Sequence, residues 1–180
     1  MAAPDRWPRY REAVFTGWHG IPSAVRAAIE AAKLPHDFFS RRYLTLPMVE
    51  PTDVPGGGTL YRIGTEGLVC SIYWDPASGA VLSRTDRPIG PHQQTPAGRV
   101  FFVNSSLRQF VETVQGMLAA FPYYDRTAEF EELEAAADRL RALIEPIDPA
   151  ALEPNTLWDA FAADVANGDF ATEDVLALLD

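Results

Sequence analysis

The chain reads as an α+β protein: a mostly antiparallel central sheet with helices packed on it, and a helical C-terminal third. Three observations carry this reading. Strand-like runs between residues 59 and 84 are joined by short Gly-, Asp- and Ser-containing connections of the hairpin kind. From residue 105 onward, apolar residues recur every third or fourth position, the period of a helix with one buried face. The elements are also grouped, as helix, then strands, then helices.

Each element has its own signal. "IPSAVRAAIEAAKLP" predicts a first helix with Pro22 near its start and Val25, Ala28, Ile29 and Ala32 on one face. It ends at Leu34-Pro35, because the residue before a proline avoids the helical region. "HDFFSRRYLTLP" supplies apolar residues to tie that helix to the sheet, and "PMVEPTDVPGGG" reads as an irregular glycine and proline stretch. The strand-like runs "TLYRI", "GLVCSIYW" and "GAVLSR" follow, joined by "GTEG" and "DPASG". A long polar loop, "TDRPIGPHQQTPAG", precedes a return to the sheet at "RVFFV"; loops of this length in compact domains are usually functional or poorly ordered. The second helix carries Leu107, Phe110, Val111, Val114 and Leu118 on one stripe, and the third carries Phe130, Leu133, Ala137, Leu140 and Ile144. "NTLWDAFAADVANG", closed by Gly168, and "TEDVLALLD" predict two more. With no internal repeat and no domain-scale linker, residues 1–180 are expected to form one domain, helical over 105–180.

Charge is distributed unevenly. The formal net charge is −10, but residues 125–180 hold 15 acidic residues against Arg126, Arg139 and Arg141, a net −12, so the remainder is slightly positive. Such a field repels nucleic acid and attracts basic partners. At about 100° per residue, Glu131, Glu134, Asp138 and Glu145 fall in one narrow sector beside the apolar stripe, interrupted only by Arg141. Like charges three and four positions apart cost a few tenths of a kcal/mol each. The row is therefore either a plain solvated face or a negative face kept for a basic partner.

Catalytic chemistry finds little support. Ser106 followed by Gln109 fits a capping box, in which the serine accepts from the first turn and the glutamine reaches back to the cap. Asn104 and Ser105 suit the same strand-to-helix corner. A nucleophilic serine would need a base and an oxyanion site, and the G-x-S-x-G elbow is absent. Cys70, the single cysteine, lies in an apolar run; His19, His36 and His92 have no zinc-motif spacing. "GGG" at residues 56–58 lacks the Lys-Ser/Thr of a phosphate-binding loop. No cofactor or metal is expected. Trp158 at the head of its helix and Trp74 at a strand end read as core anchors, and "FPYYD" as a helix-end plug or an interface patch. No run reaches the roughly 18 apolar residues of a membrane helix, and the start lacks a signal-peptide layout, so a cytoplasmic protein is expected.

"YRIGTEGLVCSIYWDPASGAVL", "FFVNSSLRQFVETV" and "IDPAALEPNTLWDAFAADVANGDF", in that order, resemble the SUKH superfamily, most of all its fourth immunity-protein group. The similarity is strongest over residues 34–170, with "VNSSLRQF" its most specific piece; Lys33 stands where the resemblance leads one to expect a glycine. It implies an α+β, non-catalytic cytoplasmic protein that binds and silences a cognate polymorphic toxin, often a nuclease or nucleic-acid deaminase. The partner would present a basic surface, met by the Glu131/Glu134/Asp138 face or by the loop 84–98. The alternative is a SUKH-type scaffold for an endogenous partner.

Overall fold

The computed structural model describes residues 7–39, 42–54, 57–88 and 95–177. Helix α1 (Ser23–Ala32) leads into a six-stranded sheet: β1 (Asp37–Phe38), β2 (Tyr43–Asp53), β3 (Thr59–Glu66), β4 (Cys70–Trp74), β5 (Val81–Thr85) and β6 (Val100–Asn104). The strands lie in chain order and every neighbouring pair is antiparallel. Helices α2 (Leu107–Ala119), α3 (Phe130–Ile144), α4 (Leu157–Ala166) and α5 (Thr172–Ala177) follow, with a 3-10 turn at Pro149–Leu152 between α3 and α4. The α+β architecture with a helical C-terminal third is thus the one read from the sequence.

The sheet grows by hairpins because its turns carry the right chemistry. At Asp75–Gly79 the aspartate carboxylate accepts from the Ala77 amide and the Ser78 hydroxyl. Gly79 adopts φ 85° and donates its N–H to the Asp75 carbonyl. The preceding hairpin turns at residues 67–69, later than "GTEG" suggests, since β3 continues to Glu66.

The stretch read as irregular, "PMVEPTDVPGGG", is strand through Asp53. Prolines are tolerated there because β1 covers only Tyr43 and Leu44; beyond them β2 lies at the sheet edge, met on that side by a single bridge between Met48 and Gly17 among the described residues. The register slips between Thr45 and Glu50, and within that slip the Pro47 carbonyl accepts from the amides of Thr16 and Gly17.

Helix α2 packs on β6 and α1, and α3 packs on α2 and α4. Gly116 permits the close α2–α3 approach: a Cβ there would lie 2.7 Å from Leu143 Cδ2. The predicted stripe of α2 is buried throughout. That of α3 is buried at Ala137, Leu140 and Ile144, but Phe130 is 66% exposed. Side chains of a first turn lean back beyond the helix end, past the surface that α4 covers. Between sheet and helices Phe38, Phe39, Phe121, Tyr123, Trp158, Phe161 and Phe170 form one aromatic cluster, with Phe161 and Phe170 centroids 4.5 Å apart. "FPYYD" belongs to it as a plug, since Phe121, Tyr123 and Tyr124 are all buried.

Lys33 closes α1 at φ 54°, ψ 56°, the left-handed conformation that favours glycine. Its ammonium pairs with Glu12 at 3.1 Å, but both side chains are more than half exposed, where a pair contributes little. Lys33→Gly should therefore raise stability by about 0.5–1 kcal/mol in urea unfolding; a destabilised variant would show that the lysine's contacts outweigh the strain.

Candidate functional site

The Asn104–Gln109 corner is closed by a residue 43 positions further on. Asp148, 1% exposed, accepts the Ser105 amide (2.7 Å) and hydroxyl (2.8 Å) and the Asn104 amide (3.0 Å). Asn104, wholly buried, also donates to the Thr113 hydroxyl at 3.3 Å and accepts from the Trp158 indole at 2.8 Å. One asparagine thereby joins β6, α2, the α3–α4 connection and α4. The three stretches "VNSSLRQF", "IDPAAL" and "NTLW" are a single hydrogen-bonded unit. Asp148 was not singled out from the sequence, because its partners lie across the fold; an aspartate directly before a proline, just after a helix, was the one local signal.

Ser106 is the N-cap of α2, its hydroxyl accepting from the Gln109 amide at 3.2 Å. The reciprocal half of the expected box is different. Gln109 does not reach back to the cap amide; its Oε1 accepts the Ser106 hydroxyl and its Nε2 donates to the Ile147 carbonyl at 2.9 Å. That carbonyl follows α3 and needs a donor, so tertiary packing redirects the amide. A complete capping box forms instead at Glu129 and Glu132 of α3.

Among the described residues neither serine has a histidine partner. Cys70 is buried, and that burial, with the nearby Glu66 carboxylate second, pushes its thiol up to about 11. A neutral thiol is a poor nucleophile. At about pH 8 it should react with a disulfide reagent roughly a hundredfold more slowly in the native protein than in urea; equal rates would mean an accessible thiolate. His92 lies outside the described residues, as does the middle of the loop 84–98 (residues 89–94). Among the described residues no group of three or more His, Cys, Asp and Glu is arranged to hold a metal ion, and no helix is long and apolar enough to cross a membrane.

The acidic row lies on the outer side of α3, and its members differ. Glu131 and Glu145 are exposed and Glu134 is half-buried; none of the three has a hydrogen-bond or ion-pair partner among the described residues. Asp138 holds Arg141 at 3.1 Å. Glu145 occupies the C-cap, the end where a carboxylate opposes the helix dipole. From Glu131 to Glu145 the row extends about 21 Å. The arginines of this third of the chain neutralise little of it: Arg126 is engaged by Asp174, Arg139 donates to the Tyr123 carbonyl, and Arg141 is held by Asp138.

The fold is a helix-backed antiparallel sheet, with a polar cluster that ties its elements together and an outer helix whose carboxylates have few counter-ions among the described residues. Its family can be named. The chain matches the model of the family described as SUKH-4 immunity protein over residues 2–164, and it belongs to that family. No curated protein and no solved structure matches it significantly. The family suggests a non-enzymatic role, and binding of a cognate toxin is what it implies.

Proposed function

We propose that this protein is a cytoplasmic antidote that holds a nucleic-acid-directed toxin, a nuclease or deaminase, through the acidic face of α3. Enzymes acting on nucleic acid need basic substrate grooves, and a preformed row of carboxylates complements such a groove and steers its approach. The observation that carries the reading is the row Glu131, Glu134 and Glu145, which has no counter-ion among the described residues, although like charges three positions apart, as at Glu131 and Glu134, destabilise the helix. Titration calorimetry against the toxin domain encoded beside the gene, at low and at high salt, tests it. Tight binding that weakens with salt is expected. Absence of binding would move the function to a scaffold for an endogenous partner.

A further inference from the structure

A second feature lies on the helix-facing side of the sheet, away from the acidic row. Between the ends of β3–β6 and the first turns of α4 is a cleft of about 260 Å³. It is lined by the apolar Phe101, Leu157 and Ala160 and by Glu66, Cys70 and Ser83 of the strands, with Asn155 and Thr156 before α4. Small-molecule sites usually span about 300–1,000 Å³; this cleft is sized for one long side chain.

Among the described residues Glu66 is the one charged residue lining it, beside the neutral Cys70, Ser83, Asn155 and Thr156. Glu66 accepts the Ser83 hydroxyl at 2.7 Å through Oε2 and has no other hydrogen bond among the described residues. Burial pushes its carboxyl upward, against the hydrogen bond from Ser83 and the attraction of Arg42. Arg42, however, is held by Asp164, which itself adds to the upward push. The other charges nearby do not neutralise Glu66 either. Asp86, which interacts with Cys70, accepts the Ser71 hydroxyl, and Arg99 lies over the Phe101 ring with its guanidinium carbon 4.9 Å from the centroid. The α4 N-terminus offers little to an anion, because Thr156 caps the Asp159 amide and Asp159 accepts the Asn155 amide.

We propose that this cleft receives a single arginine side chain of the bound partner, its stem against Phe101 and Leu157 and its guanidinium on Glu66. A planar guanidinium stacks on aromatic rings and pairs with a carboxylate in one geometry, and a desolvated pair of this kind is a typical anchor of an interface. The partner's identity rests on the toxin-binding reading above; the chemistry of the cleft does not.

Glu66→Gln keeps the shape and the Ser83 bond. A carboxyl raised by burial favours folding only below its ordinary range, and that contribution is lost as pH rises through the raised value. At neutral pH the variant should therefore melt no lower than the wild type. It should bind the neighbouring toxin domain about ten- to a hundredfold more weakly. N-acetyl-arginine amide, titrated to tens of millimolar and followed by NMR, should shift Cys70, Ser83 and Phe101 resonances in the wild type and not in the variant. Unchanged toxin affinity in a wild type that binds, or arginine-amide shifts absent or equal in both proteins, overturns the proposal. If the wild type ignores the toxin domain, the antidote reading falls, and the arginine-amide titration still decides the cleft.

Discussion

Asp148→Ala should be one of the more damaging polar substitutions in the chain, costing about 2–3 kcal/mol of folding stability. The carboxylate is 1% exposed and receives three donors, two from Ser105 and one from Asn104. Removing it leaves the wholly buried Asn104 amide short of an acceptor, and an unpaired buried group bears its full desolvation penalty, whereas the two donors of the exposed Ser105 can turn to water. The damage should spread, because Asn104 orients the Trp158 indole against the aromatic cluster. For a chain of this size the midpoint should fall by about 5–10 °C. Asp148→Asn retains one acceptor and should lie between alanine and wild type. If alanine unfolded at nearly the wild-type temperature, the corner would be incidental to the fold.

The second large effect concerns binding alone. Replacing Glu131, Glu134 and Asp138 together by lysine changes the charge of the α3 face by six. All three positions lie outside the buried stripe, where substitutions usually change stability by within about 0.5 kcal/mol each. Against a basic toxin domain, association should slow by about 10- to 1,000-fold at low salt, and its decline with added salt should vanish or reverse. Affinity and salt dependence unchanged from the wild type would remove α3 from consideration as the contact. The reversal and Glu66→Gln act at separate places, so the first should appear mainly in the association rate and the second in dissociation.

Much of the fold was legible because its signals are local. Hairpin turns need particular residues at particular positions, and Asp75, Ser78 and Gly79 supply them within five residues. The stripe of α2 is a matter of period alone, and every predicted member is buried. The expectation of glycine at Lys33, drawn from the resemblance, coincides with a left-handed backbone at that residue. Where the reading departed from the structure, a distant neighbour decided. Pro47 and Pro51 lie in a strand because β1 is too short to make β2 an interior one. Gln109 turned away from its cap because Ile147 presents a free carbonyl. Phe130 lies outside the core because α3 begins before α4 covers it.

The candidate binding surfaces divide in the same way. The acidic row follows from spacing on one helix and net charge over one third of the chain, both properties of the sequence alone. Whether each carboxylate has a counter-ion could be settled only by the fold, which gives Arg141 to Asp138 and leaves Glu131, Glu134 and Glu145 without one among the described residues. The Glu66 cleft was invisible beforehand: its residues come from four strands and a helix, and no spacing relates them. The sequence determined by itself the element types, the antiparallel order and the sign of the field, because period, turn chemistry and formal charge are fixed along the chain. Only the tertiary structure decided that Asp148 closes the Asn104 corner and that Glu66 is half-buried without a pairing cation among the described residues. Those properties depend on which groups meet across the fold and how much water is excluded where they do.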